Sequence, residues 1–143
     1  MKILPIEEIQ NMIGQQIGVS DWFEIDQNRI NQFADATNDQ QFIHVDPEAA
    51  KSTPWGTTIA HGFLTLSLLS YMSSEAGLAP ENFAMAINYG LDKVRFIEAV
   101  PVNSRIRSNS TLVDVQDKKG GRWLLKSSVT IEIENVEKPA AIV

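Results

Sequence analysis

The segment "IAHGFLTLSLLSYMSSEAG", residues 59–77, constrains the fold of this chain more than any other part of the sequence. It contains no helix-breaking residue between Gly62 and Gly77, and it therefore predicts the longest helix of the chain, ending at Gly77. The apolar residues of this helix lie on nearly all of its sides. A helix of that kind has to be buried, and we expect a β-sheet to wrap around it.

The sequence after Pro80 has a different character and is typical of long strands. Four segments have strand-like composition, namely "FAMAINYGLDKVRFIEAV", "SRIRSNSTLVDVQD", "RWLLKSSVTIEIENV" and "KPAAIV". The segment "DKKGG" predicts a hairpin turn between the second and the third. The pattern predicts the α+β class, with an antiparallel β-sheet packed on a central helix.

The sequence before the long helix predicts short helices and one strand. "PIEEIQNMIGQQIG" has helical spacing, "SDWFEID" is typical of a strand, and Asp26 is suited to cap a helix over "QNRINQFADAT". Asp46 and Pro47 predict the start of another short helix. Because no period fits residues 38–43, we expect Asp39 and His44 to lie in a loop between helices.

The composition disfavours several classes of protein. With 143 residues, the chain is expected to form one domain over residues 1–143. It has no cysteine and only two histidines, which excludes thiolate metal sites and argues against a zinc cluster. A net charge of −6 disfavours nucleic-acid binding. Because no apolar run of about 20 residues occurs and the start is unlike a signal peptide, we expect a cytoplasmic protein with no membrane partner.

The segment "NDQQFIHVDP" sets the carboxylate of Asp39 five residues before the imidazole of His44. Such a pair can hold a water between a proton acceptor and a proton donor, which is the minimum for adding or removing water across a double bond. Gly62, near the start of the predicted long helix, offers a backbone N–H that could stabilise an oxyanion. Taken singly, a histidine between Ile43 and Val45 is more often a structural hydrogen-bonding group than a catalyst, and Gly62 is as consistent with a tight helix entry as with an oxyanion site.

The spacing of these residues resembles that of a known family. "FADATNDQQFIHVDPEAA" followed by "IAHGFLTLSLLS" contains D-x4-H-x-D-P and a later H-G, and is similar to the MaoC-like dehydratases, the (R)-specific enoyl-CoA hydratases. The similarity is greatest to the branch that includes nodulation protein N. It continues through "NYGLDKVRF" and "VPVNSRIR", so that it covers nearly the whole chain from about Trp22 onward.

The resemblance implies a fold, an assembly and a set of site residues. The fold is the hot-dog fold, in which an antiparallel β-sheet wraps around one long central α-helix, here about His61 to Ala76. Two subunits pair as a homodimer, with the active site at their interface. The resemblance assigns catalysis to Asp39 and His44 and the oxyanion-binding N–H to Gly62, and it makes Ser70 a supporting residue that orients the aspartate.

The activity that the resemblance implies is that of a hydro-lyase. The enzyme would add water reversibly to a trans-2-enoyl thioester, with an acyl-CoA thioester as substrate and no metal or other cofactor, since CoA is part of the substrate. The family pattern G-D-x-N-P-[LIV]-H has Gln41 and Phe42 here in place of asparagine and proline, which bears on the shape of the acyl pocket. Two other functions stay open: an acyl-CoA thioesterase of the hot-dog class, and a non-catalytic subunit that binds acyl thioesters.

Overall fold

The computed structural model describes all 143 residues and belongs to the α+β class, as predicted. Its helices are α1 (Ile6–Asn11), α2 (Gln27–Thr37), α3 (Phe42–Val45), α4 (Pro47–Ala50), α5 (Gly62–Ser67) and α6 (Leu69–Ala76). Its strands are β1 (Lys2–Leu4), β2 (Gln16–Val19), β3 (Phe23–Ile25), β4 (Leu78–Pro80), β5 (Arg95–Phe96), β6 (Ser104–Asp117), β7 (Trp123–Ile133) and β8 (Ala141–Ile142). None of these helices has the length and hydropathy that a bilayer-spanning helix requires.

The main sheet is antiparallel throughout and has the order β2-β6-β7-β8-β5, with β3 also paired to β6. β6 and β7 form the long central hairpin of this sheet. Gly120 and Gly121 have positive φ angles of 64° and 72° in its turn, a conformation that glycine adopts without steric cost. The predicted hairpin and its two strands are therefore confirmed.

The predicted long helix is present as α5 and α6, which begin at Gly62 and are separated only at Leu68. One face of the pair packs on the inner face of the sheet, so the core lies between helix and sheet. The main core cluster consists of Ile25, Ile30, Ala60, Leu64, Leu68, Met72, Val100, Ile106, Ile131, Ile133, Ala140 and Ala141.

The prediction that this helix is buried on all sides is wrong for the single chain. The sheet covers only one face, and the opposite face is open. Phe63 is 68% exposed and Tyr71 is 45% exposed on that face. The apolar character of the exposed face therefore has to be explained by something other than the core of one chain.

α2 delivers the chain to the segment that contains Asp39. Asp26 caps α2 as predicted, since its side chain accepts a hydrogen bond from the Arg29 N–H at 2.8 Å. The helix ends at Asn38, which has the left-handed conformation with a φ of 59°. Asparagine tolerates this conformation at a helix C-terminus, and the resulting change of chain direction places Asp39 at the end of α2.

The expectation that His44 lies in a loop is wrong, because residues 42–45 form the short helix α3. A single helical turn is too short to show a period in the sequence. Asp46 ends this turn and caps α4, as predicted, by accepting hydrogen bonds from the N–H groups of Glu48 and Ala49, both at 3.0 Å. Pro47 occupies the first turn of α4.

The prediction of a long strand over "FAMAINYGLDKVRFIEAV" is wrong except at β5. Residues 81–93 are all exposed and belong to no helix or strand. Large apolar side chains alternate along this segment, and Met85, Ile87 and Tyr89 are 72%, 77% and 82% exposed. The alternation in the sequence is real, but a strand needs a hydrogen-bonded neighbour, and within one chain this segment has none.

A small second sheet was not predicted from the sequence. β1 pairs with β4 in parallel, and strands of three residues are too short to show alternation. Next to it, a minor core is formed by Ile9, Ile17 and Leu112. Gly18 in β2 lies against the end of α6, where a Cβ atom on the glycine would be 1.8 Å from the carbonyl oxygen of Ala76.

Candidate active site

Three side chains meet where α2, α3 and α5 approach one another. A carboxylate oxygen of Asp39 and ring nitrogens of His44 and His61 all lie within 4.8 Å of one another. Asp39 is exposed, whereas His44 and His61 are only 7% and 2% exposed. His61 immediately precedes α5. The fold thus brings the "NDQQFIHVDP" motif to the start of the central helix.

The ring of His44 is oriented by the segment that precedes α5. Its Nδ1 lies 2.7 Å from the carbonyl oxygen of Ile59. Because a carbonyl oxygen only accepts hydrogen bonds, Nδ1 carries the proton, and Nε2 of the neutral ring presents a lone pair. The Ile59 N–H also donates to the Ile43 carbonyl oxygen at 3.0 Å, which fixes the two main chains side by side. His44 is therefore held with its free nitrogen available to accept a proton.

The side chain of Gln27 ties these segments to α2. Its Nε2 donates to the carbonyl oxygen of His44 and to Oδ1 of Asn31, each at 2.8 Å. Its Oε1 accepts from the hydroxyl of Thr58, a fully buried residue, at 2.5 Å. One amide in the first turn of α2 thus links α3 to the segment before α5. Nothing in the sequence distinguishes Gln27 from the other glutamines.

Burial lowers the pKa of His44 from the ordinary value of 6.5, because the imidazolium loses hydration in this site. The hydrogen bond to Ile59 raises the pKa, the neighbouring His61 lowers it, and the Asp39 carboxylate raises it. The net direction is downward. At neutral pH, the ring of His44 is therefore mainly uncharged, with its proton on Nδ1 and a free lone pair on Nε2.

His44 and Gly62 line the same open cleft, which has a volume of about 290 Å³. The N–H of Gly62 is the first of α5 and makes no hydrogen bond within the chain, so it is free to donate into the cleft. The ring of Phe96 lies over this glycine, since a Cβ atom there would be 3.1 Å from the ring. Thr65 and Glu98 also line the cleft. The walls therefore combine a proton acceptor, a free amide and apolar surface.

The group of Asp39, His44 and His61 is close enough to be tested as a metal site. The two imidazole rings are stacked, with centroids 3.8 Å apart and 26° between their planes. Lone pairs lie in the plane of each ring. Two stacked rings cannot both direct a lone pair at one ion at a zinc–nitrogen distance of about 2.0–2.1 Å. The arrangement fits an acid–base group better than a metal centre.

The residues singled out from the sequence are not all brought together. Asp39 lies beside His44, and His44 shares the cleft with Gly62. Ser70 is exposed and lies about two helical turns after Gly62. Its hydroxyl accepts a hydrogen bond from Nδ2 of Asn88 at 3.0 Å and makes none with Asp39. The supporting role of Ser70 stays a prediction.

Two features of the site were missed in the sequence. The sequence placed His61 in the H-G pair at the start of the long helix but assigned it no role, and it did not distinguish Gln27. The position of His61 directly before Gly62 shows that it lies near the oxyanion candidate, but not that it contacts His44. Its contact with His44, in contrast, joins residues 17 positions apart and cannot be read from local spacing.

Comparisons with known proteins identify similar chains over almost the whole length. The family model described as "MaoC like domain" matches residues 8–133. The chain is 47% identical over 137 residues to 3-hydroxyacyl-thioester dehydratase Z of Mycobacterium tuberculosis, covering 96% of this chain and 90% of that protein. It is 45% identical over 141 residues to nodulation protein N of Rhizobium meliloti, covering 98% of this chain and 88% of that protein.

A similar solved structure carries the same fold. The X-ray structure of the monoamine oxidase regulatory protein from Archaeoglobus fulgius superposes with a TM-score of 0.79 and 26% sequence identity. The match covers 97% of this chain and 90% of that chain.

Proposed function

The chain belongs to the MaoC-like dehydratase family of hydro-lyases, which has the hot-dog fold. We therefore propose that it adds water reversibly to a trans-2-enoyl thioester. The product of the proposed hydration is the (R)-3-hydroxyacyl thioester. The relative from Mycobacterium tuberculosis is named for the reverse reaction, the dehydration of a 3-hydroxyacyl thioester. Acyl-CoA is the proposed form of the substrate.

The observation that carries this proposal is the proximity of the Asp39 carboxylate to the ring of His44, which lines the cleft. Oxygen and nitrogen atoms within 4.8 Å of each other can be bridged by one water with two ordinary hydrogen bonds. As the water oxygen attacks C3, the Asp39–His44 pair takes one proton from the water and returns one proton to C2, so that the pair ends with as many protons as it began with. Because the water oxygen and the proton reach the double bond from the same side, the addition is syn. The lone pair on Nε2 suits His44 to the proton-accepting step.

The N–H of Gly62 is proposed to bind the thioester carbonyl oxygen. Negative charge develops on that oxygen when water adds to C3, because the intermediate is an enolate. A donor that is already oriented at a helix start stabilises such charge without rearrangement, and loss of one donor in other enzymes costs about 2.7–4 kcal/mol of barrier. The proposed reaction consumes only water, so it calls for no redox cofactor.

The exposed apolar segment of residues 83–91 supports a homodimer as the functional unit. Met85, Ile87 and Tyr89 are each more than 70% exposed, and the segment directly precedes the edge strand β5. An extended edge with alternating apolar side chains is suited to pair with another strand. We propose that a second copy of this chain pairs here and that the partner completes the cleft. Asn88 of this segment donates a hydrogen bond to Ser70 on the central helix. The exposed ring of Phe63 on that helix packs on Phe96, which lines the cleft.

The decisive experiment incubates the protein with crotonyl-CoA and follows enoyl absorbance and free thiol together. Hydration predicts that the enoyl absorbance disappears without release of thiol and that the product is the (R) isomer. The Asp39→Asn variant keeps the side-chain shape and should lower kcat by about 10²–10⁴-fold, which is the usual contribution of acid–base catalysis. Asp21→Asn, which changes an exposed aspartate elsewhere, is the matched control and should retain full activity.

Other outcomes of the same assay identify the two alternatives. Thiol released as fast as substrate disappears identifies a thioesterase. Binding of the thioester with neither signal identifies a non-catalytic subunit. Either outcome, or unchanged turnover by Asp39→Asn, contradicts the proposed function.

A further inference from the structure

His61 is a buried residue with contacts to both proposed catalytic residues. Its ring is stacked on the ring of His44, with centroids 3.8 Å apart. Its Nε2 lies 3.0 Å from the main-chain carbonyl oxygen of Asp39. Its side chain thus contacts both the main chain that carries the carboxylate and the ring that carries the base.

The hydrogen bonding of His61 has a definite direction. The carbonyl oxygen of Asp39 only accepts, so Nε2 of His61 carries the proton and donates it. Nδ1 is buried and has no hydrogen-bond partner. A buried polar atom without a partner is unusual in a folded protein and calls for a reason. All of the polar interaction of this ring is directed at Asp39.

The main chain of His61 is anchored in the rigid part of the fold. Its carbonyl oxygen accepts the Thr65 N–H at 3.1 Å, the first hydrogen bond of α5. The ring of Phe33, from α2, packs against the imidazole with centroids 5.0 Å apart. The imidazole is therefore a fixed point between α2 and the central helix.

We propose that His61 is a positioning residue that sets the separation between Asp39 and His44 in the proposed hydration reaction. The stacked ring limits how far His44 can turn, and the hydrogen bond from Nε2 holds the main chain of Asp39 beside it. Neither contact requires His61 to exchange a proton with the substrate. This inference rests on the proposed function, in which those two groups share one water.

Two substitutions of nearly equal size separate the hydrogen bond from general packing. The amide nitrogen of glutamine reaches the position of Nε2, and that of asparagine reaches only the position of Nδ1, which has no partner. His61→Gln can therefore keep the bond to Asp39, and His61→Asn cannot. Both variants lose the aromatic stack. Circular dichroism and gel filtration establish that each variant is folded.

We expect kcat on crotonyl-CoA to fall about 10²-fold in His61→Asn, because displacement of catalytic groups by about 1 Å has effects of that size. His61→Gln should retain about tenfold more activity than His61→Asn, and KM should change by less than about threefold in both. A folded His61→Asn with kcat equal to or above that of His61→Gln would overturn the proposal. So would a change confined to KM.

A measurement on the unaltered protein tests the underlying contact even if neither variant folds. Nitrogen-15 NMR should show His61 protonated at Nε2 and His44 protonated at Nδ1. His61 protonated at Nδ1 would overturn the proposal. If the unaltered protein has these tautomers but hydrates no enoyl thioester, the proposed function fails while the contact stands, so the two failures are distinguishable.

Discussion

His44 has only one ring nitrogen with which to accept a proton, because Nδ1 is committed to the carbonyl oxygen of Ile59. Burial lowers the pKa of this ring from 6.5, so it takes up a proton only at a lower pH than an exposed histidine does. We therefore predict that kcat/KM on crotonyl-CoA is level near neutral pH and falls toward acid pH with a midpoint below 6.5. If kcat/KM instead falls toward acid pH with a midpoint above 6.5, His44 is not the base.

Gly62 allows its N–H to be removed without removing the residue from the helix. Proline is tolerated at the first position of a helix, and the extended conformation of His61, with a ψ of 138°, suits a residue that precedes proline. We predict that Gly62→Pro lowers kcat by about 10²–10³-fold relative to Gly62→Ala, which keeps the N–H. Steady-state kinetics on folded variants check this. Equal kcat values would show that the amide does not bind the developing charge.

The composition of the site was only partly predictable from the sequence. The spacing of Asp39 and His44 and the glycine at the helix start predicted a group of residues suited to acid–base chemistry, and the structure brings Asp39 beside His44 and His44 into one cleft with Gly62. The tautomer of His44 was not predictable, since it depends on a carbonyl group 15 residues away. The link made by Gln27 was equally hidden, because it joins residues 31 positions apart. Local spacing reveals residue types, and the fold determines their orientation.

β2 and α6 approach each other so closely that only glycine fits at position 18. A Cβ atom there would lie 1.8 Å from the main-chain oxygen of Ala76, and a main-chain atom cannot move without displacing the end of the helix. We predict that Gly18→Ala lowers the free energy of unfolding by about 1–3 kcal/mol or prevents folding. Urea denaturation measures this, with Val19→Ala, an exposed change in the same strand, as the control. Equal stability of the two variants contradicts the packing described.

Elements were predictable from the sequence where their own residues determine them. β6 and β7 were predicted because alternation continues over many residues and glycines mark the turn between them. α3, with four residues, and β1, with three, are too short to show a period. The segment of residues 83–91 has the alternation of a strand but no neighbour in its own chain to pair with. Pairing partners, unlike periodicity, are a property of the whole assembly.

The open face around residues 83–91 accounts for the large apolar surface that one chain leaves exposed. If a second copy covers it, a charge placed at its centre should separate the subunits, because burial of an unpaired carboxylate is costly. We predict that Ile87→Glu converts a dimer into a monomer in analytical ultracentrifugation and lowers hydratase activity with it. Val136→Glu, the same change at an exposed apolar residue outside this segment, should remain dimeric. An unaltered protein that is monomeric at all concentrations contradicts the proposed assembly.

The most direct test of the account is a double-mutant cycle on Asp39 and His44, with kcat for crotonyl-CoA hydration as the measurement. When two groups act on the same water, removing either one disables both. Asp39→Asn, His44→Gln and the combined variant should therefore each lower kcat by a similar factor of about 10²–10⁴. Independent groups would instead give a combined loss equal to the product of the two single losses. Near-equal losses in the three variants are the predicted result, and multiplicative losses, or no loss in either single variant, would contradict it.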